Sequence, residues 1–225
     1  MNAPGNNQSF TDRLYQSAAP IWKKCMEHPF VKGIGDGSLP LEKFRYFMLQ
    51  DYVYLYDYAR VFALGTVKAK DPALMREFAR NVDEVLHGEM EIHRAYMKRL
   101  GIPEEQAETV KPALPNLSYT SYMIAEAQAG TVADIVAAIL SCSWSYADIG
   151  LSLAEIPGAA DHPFFGEWIQ GYAGEEYQKT NRSLIELMNR LSEGLPEDQK
   201  AHLEEIFVNC SLYELGFWDM AWQGG

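Results

Sequence analysis

The chain contains little cysteine, little histidine and no block of positive charge. Three of its 225 residues are cysteine, and their scattered positions, Cys25, Cys142 and Cys210, do not form a disulfide framework. The formal net charge is −12, and no Lys/Arg cluster provides the basic face that a nucleic-acid partner would need. The five histidines supply one Glu-x-x-His pair, Glu84 with His87, whereas a di-iron site in a helical bundle needs a second pair.

The sequence also lacks a signal peptide, a membrane span and any convincing strand. Residues 1–8 have neither the basic nor the apolar region of a signal peptide, and we expect no apolar run to be long enough to cross a bilayer. We therefore expect a cytoplasmic protein with no membrane partner. Helical periodicity dominates the chain, so the sequence predicts an all-α bundle of about seven helices. Residues 1–8 are expected to be a disordered start and residues 9–225 a single domain.

The most apolar of these helices is predicted over residues 135–153. One face of it contains a thiol and, one turn later, a phenol, in the series Ile135, Ala138, Ile139, Cys142, Tyr146, Ile149 and Leu153. Small residues flank the thiol, which leaves room beside it for a ligand. A cysteine on an apolar face is usually an inert core residue, so its interpretation depends on the other helices.

Three further helices place a carboxyl group on an apolar face. Asp51 interrupts the stripe of the second helix, Glu89 that of the third and Glu214 that of the last. An unpaired buried carboxylate is costly, so each needs a partner or a ligand. On the third helix the predicted inward stripe is Leu74, Phe78, Val82, Val85, Glu89, Ile92, Tyr96 and Leu100. The predicted solvated surface of that helix includes His87, Glu91 and His93.

Asp51, Cys142 and Glu214 allow two explanations. As separate structural groups, each would be hydrogen-bonded to a tyrosine or to the backbone. As one site, they could add a thiolate to an electron-poor carbon, deliver a proton to a ring nitrogen and accept hydrogen bonds from an amino group. Tyrosines that could line the same space and stack on a flat heterocycle are Tyr54, Tyr119, Tyr146 and Tyr172. No histidine is obviously paired with the thiol, which disfavours a papain-like protease.

Five segments, in this order, resemble the TenA family, also called thiaminase II or aminopyrimidine aminohydrolase. They are HPFVKGIGDGSLP at 28–40, FMLQDYVYL at 47–55, SYTSYM at 118–123, LSCSWSY at 140–146 and YELGFWDMA at 213–221. The resemblance implies a haem-oxygenase-like helical fold, usually a homotetramer, with no cofactor or metal. It also implies hydrolysis of 4-amino-5-aminomethyl-2-methylpyrimidine, or of thiamin, to 4-amino-5-hydroxymethyl-2-methylpyrimidine in thiamin salvage.

The same resemblance implies roles for individual residues. Cys142 falls on the family's nucleophile, Glu214 on its acid/base and Asp51 on the carboxylate that holds the aminopyrimidine. Substrate-contacting or pocket-lining positions are Tyr54, Tyr119, Tyr146 and Tyr172. The proline that commonly precedes the nucleophile is replaced here by Ser141.

Two other functions stay open at the level of the sequence. One is a pyrimidine- or thiamin-binding, or regulatory, protein of the same fold without turnover. The other is a haem-oxygenase-like redox enzyme. Di-iron members of that fold need several histidines on their later helices, where this chain has only His162 and His202.

Overall fold

The computed structural model describes residues 8–224, and within them it contains eleven α-helices and one π-helical segment. Their bounds are α1 Phe10–Glu27, α2 Pro29–Gly35, α3 Leu41–Lys68, α4 Pro72–Asp83, the π segment Glu84–Glu89, α5 Met90–Arg99, α6 Glu104–Thr109, α7 Leu114–Ala129, α8 Val132–Ala154, α9 Gly166–Ala173, α10 Glu175–Ser192 and α11 Glu197–Gln223. The all-α prediction is confirmed. The start predicted over residues 1–8 lies outside the described residues except for Gln8.

At two helix starts a hydroxyl residue is followed three positions later by an aspartate, a spacing that predicts a capping box. Ser9 and Asp12 form a capping box at α1, with each side chain accepting a hydrogen bond from the other residue's backbone N–H. Thr131 and Asp134 form the same arrangement at α8. These caps satisfy backbone donors that a helix start otherwise leaves without partners. The cap formed by Thr131 and Asp134 determines where α8, the helix that contains Cys142, begins.

Helix α8 lies at the centre of the bundle, in contact with α3, α7, α9, α10 and α11. Within residues 8–224 it is the one helix that is long and apolar enough, by length and composition, to cross a membrane. The expectation that no apolar run reaches that length was therefore wrong. Of its most apolar window, 78% is buried inside the protein, which is what the core helix of a soluble bundle shows.

The predicted third helix is interrupted by the π segment. The backbone N–H of Met90 bonds to the carbonyl of Val85, five residues back, where an α-helix bonds four back. The extra residue rotates the following turns by one position. As a result Ile92, predicted to be inward, is 51% exposed, and His93, predicted to be solvated, is 4% exposed. The predicted surface position of His93 was therefore wrong.

Other differences from the sequence prediction concern short helices. The closely spaced glycines of residues 33–37 predict a turn, but the first of them lie inside α2, which ends at Gly35. The prolines of residues 102–117 predict an irregular connection, but this stretch contains α6 and the first turn of α7. The Ala173-Gly174 pair predicts a bend, and this is confirmed, because α9 ends at Ala173 and α10 begins at Glu175.

Gly150 allows α8 and α9 to approach closely. A Cβ atom at this position would lie 2.7 Å from the backbone carbonyl carbon and the Cβ of Tyr172. No real Cβ tolerates that distance to a backbone atom, so any side chain must push α9 away. The glycine thus determines where Tyr172 stands relative to the central helix.

We predict that Gly150→Ala lowers the free energy of unfolding by about 1–3 kcal/mol, because overpacking at a helix–helix contact displaces backbone. The matched control is Gly216→Ala in α11, where an added Cβ meets no atom within 4 Å. That change should be neutral or stabilise by roughly 0.5–1 kcal/mol, as alanine is the better helix former. Urea unfolding of both variants tests the contrast, and equal effects would contradict it.

Candidate active site

The seven site residues predicted from the sequence line one cavity of about 550 Å³. Helix α3 contributes Asp51 and Tyr54, α7 Tyr119, α8 Cys142 and Tyr146, α9 Tyr172, and α11 Glu214. Five different helices therefore bring these side chains together. The volume suits a small ligand, which occupies clefts of about 300–1,000 Å³.

Glu214 is among the most buried of these residues, with 2% of it exposed. The hydroxyl of Tyr119 donates a hydrogen bond to its Oε1 at 2.8 Å, and the Cys142 thiol is a second neighbour. Burial raises the pKa of Glu214 to about 7, although the hydrogen bonds from Tyr119 and Cys142 oppose the shift. At neutral pH this carboxyl group can therefore both give and take a proton.

Cys142 is half-buried and faces the cavity, whereas Cys25 and Cys210 are buried in the core. Burial raises the pKa of the Cys142 thiol well above its usual range, and the negative charge of Glu214 adds to the shift. The resting sulfur is therefore a neutral thiol. It needs a base at the moment of reaction, and Glu214 is beside it.

Asp51 forms a buried hydrogen-bonded pair with His93 of α5. Asp51 Oδ2 lies 2.7 Å from His93 Nε2, and the exposed fractions are 5% and 4%. The other ring nitrogen, Nδ1, lies 3.0 Å from the backbone carbonyl oxygen of Glu89. Burial alone lowers the pKa of His93, but the hydrogen bond and charge of Asp51, with the charge of Glu89, outweigh it and raise that pKa.

Glu89, the last residue of the π segment, also lines the cavity. Its side chain is partly exposed and faces the cavity, where protein atoms surround it. Burial raises its pKa to about 7, with a smaller rise from Asp51 and an opposing effect of His93. The sequence marked Glu89 as a carboxyl group on an apolar stripe, but the predicted site did not include it.

Aromatic rings form the walls. Tyr172 contacts Tyr146 with ring centroids 4.9 Å apart and Trp168 at 4.6 Å. In a second group Tyr54 stacks on Tyr58 at 5.5 Å and approaches Tyr119 at 5.4 Å. Such faces suit a flat heterocycle, whose ring can stack between them.

Some cavity residues had no sequence signal that singled them out. Trp168, Tyr177 and Phe217 line the cavity, but in the sequence they are ordinary apolar or aromatic helix positions. His93 was missed because the π turn that buries it has no reliable sequence signature, although Gly88 inside a helical pattern is a weak one. Among residues 8–224, no group of three or more His, Cys, Asp or Glu is arranged to hold a metal ion.

A family model described as TENA/THI-4/PQQC matches residues 15–224. The chain belongs to this family. It is 51% identical over 214 residues to a protein from Halalkalibacterium halodurans named aminopyrimidine aminohydrolase, covering 95% of this chain and 96% of that one. It is 46% identical over 210 residues to a protein of the same name from Helicobacter pylori, covering 93% and 97%.

Solved structures give the same result for the fold. The chain superposes on a TenA homologue protein from P. horikoshii OT3 with a TM-score of 0.89 and 34% identity, covering 96% of this chain and 100% of that one. A domain with a heme oxygenase-like fold from Shewanella denitrificans matches with a TM-score of 0.77 and 16% identity, covering 95% and 92%. The haem-oxygenase-like fold of this family member is thereby confirmed.

The raised carboxyl pKa values predict how stability depends on pH. For Glu214 the pKa rises from 4.5 in a free side chain to about 7 in the fold. The folded state therefore holds this proton more tightly, and stability decreases as pH rises through that interval, by at most about 3 kcal/mol. Glu214→Gln should flatten the decrease in unfolding free energy between about pH 5 and about pH 8.

The control for that measurement is Glu205→Gln, an exposed carboxyl group on the same helix. It should leave the slope of stability against pH as in the wild type. If Glu214→Gln keeps the wild-type slope as well, the carboxyl group of Glu214 does not carry a raised pKa.

Proposed function

We propose that this protein is an aminopyrimidine aminohydrolase. It would hydrolyse 4-amino-5-aminomethyl-2-methylpyrimidine to the 5-hydroxymethyl compound and ammonia, and cleave thiamin to the same pyrimidine and a thiazole alcohol, in thiamin salvage. The observation that carries the proposal is the meeting of Cys142, Glu214 and Asp51 in one aromatic-walled cavity. The names of relatives 51% and 46% identical over nearly their whole length support it.

The first step in this proposal uses the proton shared by Cys142 and Glu214. Ionised Glu214 takes the thiol proton, and the thiolate adds to the pyrimidine carbon next to a ring nitrogen. Protonated Glu214 then gives its proton to that nitrogen as the C–S bond forms. A carboxyl group with a pKa of about 7 suits both transfers near neutral pH.

The second step releases the leaving group. The ring is now electron-rich, and it expels the group on the 5-methylene carbon: the C–N bond breaks and its electron pair leaves with the nitrogen. An ammonium substituent departs as ammonia, and a thiazolium substituent departs as the neutral thiazole. Water then adds to the exposed methylene carbon and loses a proton. Elimination of the thiolate and return of the ring proton to Glu214 restore the aromatic ring, and transfer of that proton from Glu214 to the thiolate restores the free enzyme.

The remaining predicted residues bind and orient the ring. Asp51 accepts a hydrogen bond from the ring's amino group, and the amino group is a donor that a carboxylate satisfies well. Tyr54, Tyr119, Tyr146 and Tyr172 surround the ring faces, and Tyr119 also fixes Glu214 through its hydroxyl. Holding the ring against the thiol in this way lowers the entropic part of the barrier.

The charge of the cavity favours substrates whose leaving group is cationic. Its acidic lining residues are Asp51, Glu84, Glu89, Glu167, Glu176 and Glu214, and among residues 8–224 no Lys or Arg lines it. An ammonium or thiazolium group enters such a cavity with a favourable potential, whereas a phosphate group meets repulsion. The proposal therefore includes unphosphorylated substrates only.

The central prediction is turnover. The purified protein should release ammonia and the hydroxymethyl pyrimidine from the aminomethyl pyrimidine, measured by an ammonia assay and chromatography. Cys142→Ser should lower kcat by about three orders of magnitude or more, because an alcohol is a far weaker nucleophile than a thiolate at neutral pH. Product binding should persist in this variant.

Cys210→Ser is the matched control, since that thiol is buried in the core outside the cavity lining. Cys210→Ser should have the wild-type kcat, even if the substitution changes the free energy of unfolding. If Cys142→Ser keeps the wild-type kcat, the thiol takes no part in the reaction. If the wild type binds the pyrimidine without converting it, the protein is a binding protein and not an enzyme.

A second prediction concerns phosphate. The kcat/KM for thiamin monophosphate should be at least about tenfold below that for thiamin, a difference of about 1.4 kcal/mol. The lower kcat/KM should come mostly from a higher KM. Glu176→Gln, at the exposed side of the cavity, should make the difference in kcat/KM between the two substrates smaller.

The control is Glu175→Gln, one residue outside the cavity lining, which should leave that difference unchanged. Equal kcat/KM for the two substrates would refute the charge argument.

The homotetramer expected from the resemblance and the cytoplasmic location expected from the composition remain part of the proposal. Support for an assembly comes from large apolar side chains left on the surface, such as Val67 at 79% and Leu114 at 76% exposure. A symmetric oligomer would cover such residues.

A further inference from the structure

His93 is held between two hydrogen-bond acceptors. Nδ1 faces the carbonyl oxygen of Glu89 at 3.0 Å and Nε2 faces Oδ2 of Asp51 at 2.7 Å. A carbonyl oxygen cannot donate, so Nδ1 must carry a hydrogen atom. A second proton then lies between Nε2 and Oδ2, and the pair as a whole has no net charge. Burial of both side chains makes this neutrality necessary, since an isolated buried carboxylate is costly.

The π segment creates this arrangement. Its extra residue brings position 93, and not position 92, onto the face of α5 that packs against α3. The same segment directs the carbonyl of Glu89 at the ring, four residues before it. Single π turns inside α-helices are frequently found at functional sites. Here the turn supplies both the ring and one of the groups that orient it.

The pairing leaves Asp51 with one oxygen atom for a ligand. Oδ2 is engaged by His93, whereas no hydrogen bond within residues 8–224 reaches Oδ1, and Asp51 lines the cavity. An ionised carboxylate fixed at one oxygen presents the other in a defined direction.

The pair also affects the second carboxyl group of the cavity. The charge of Asp51 contributes to raising the pKa of Glu214, and a cationic imidazole hydrogen-bonded to Asp51 screens that charge. Other titratable groups around the pair are Glu89 on the π segment, Tyr146 on α8 and Tyr172 on α9. Without His93, an ionised Asp51 would make ionisation of Glu214 harder.

We propose that His93 is a positioning residue: it holds Asp51 through Oδ2 so that Oδ1 meets the amino group of the pyrimidine, and it compensates the charge of Asp51 so that Glu214 can ionise beside it. This inference rests on the proposed function for the identity of the ligand. The pairing itself concerns only residues of this chain and has a test that needs no turnover.

The test of the pairing is the nitrogen NMR spectrum of the histidine rings. We expect His93 to show two protonated ring nitrogens at neutral pH and above, with a downfield proton in the bond to Asp51. Asp51→Asn should convert it to an ordinary neutral ring. His87, which is exposed and bonded to Asp83, supplies the internal comparison. A neutral His93 ring in the wild type at neutral pH would overturn the proposal.

The test of the positioning role uses two substitutions. His93→Gln keeps a donor toward Asp51 but removes the positive charge, and His93→Leu removes both. We expect His93→Leu to raise KM at least about tenfold, which corresponds to about 1.4 kcal/mol. His93→Gln should keep KM closer to the wild type but move the limb of the kcat/KM profile that belongs to Glu214 to higher pH. His87→Gln, on the π segment and exposed, should change neither quantity.

A double-mutant cycle separates positioning from a general structural effect. If His93 acts through Asp51, then Asp51→Asn with His93→Leu should bind and turn over substrate no worse than Asp51→Asn alone. Additive losses, or wild-type KM and an unshifted profile in both His93 variants, would overturn the proposal. Should the wild type neither bind nor convert an aminopyrimidine, the proposed function fails, and the pairing is still decided by the NMR signal.

Discussion

The need to compensate buried charge dominates this structure. Among the acidic residues that line the cavity, Asp51 and Glu214 are buried and Glu89 is partly buried. Each of these three carboxyl groups is compensated in a different way. Asp51 is paired with an imidazole, and Glu214 accepts a hydrogen bond from a tyrosine hydroxyl. Burial raises the pKa of Glu89, so that this group holds its proton more strongly than a free carboxyl group does. The cavity is chemically useful because the three groups are compensated differently.

The fold was largely accessible from the sequence because helical bundles follow a simple periodicity. The stripe of α11, including Glu214, is buried as its three- and four-residue steps predict. The thiol of α8 faces inward for the same reason. Capping pairs such as Ser9 with Asp12 fixed two helix starts. These are local signals, and each depends on residues within one or two turns.

The candidate site was accessible in part, for a different reason. A carboxyl group on an apolar stripe is a local anomaly, so Asp51 and Glu214 could be found without knowledge of the fold. His93 was placed on the surface because that prediction assumed an uninterrupted helix. The π turn depends on tertiary packing between α3 and the following helix, and nothing in one sequence measures that. The same limit applies to Trp168 and Tyr177, which become wall residues only through the packing of α9 and α10.

The single extra residue in the segment Glu84–Glu89 has a consequence for how such chains can vary. Winding the same residues as a regular α-helix would turn every later side chain of α5 by about 100°. Ile92 would then occupy the place of the imidazole, and Asp51 would be left as a lone carboxylate in an apolar wall. Deleting one residue within the segment would instead remove the π turn and keep the imidazole in place, because the later residues return to the same register. The agreement between the number of residues in this segment and the way it is wound, more than the identity of any one of them, therefore decides whether a chain keeps the pair.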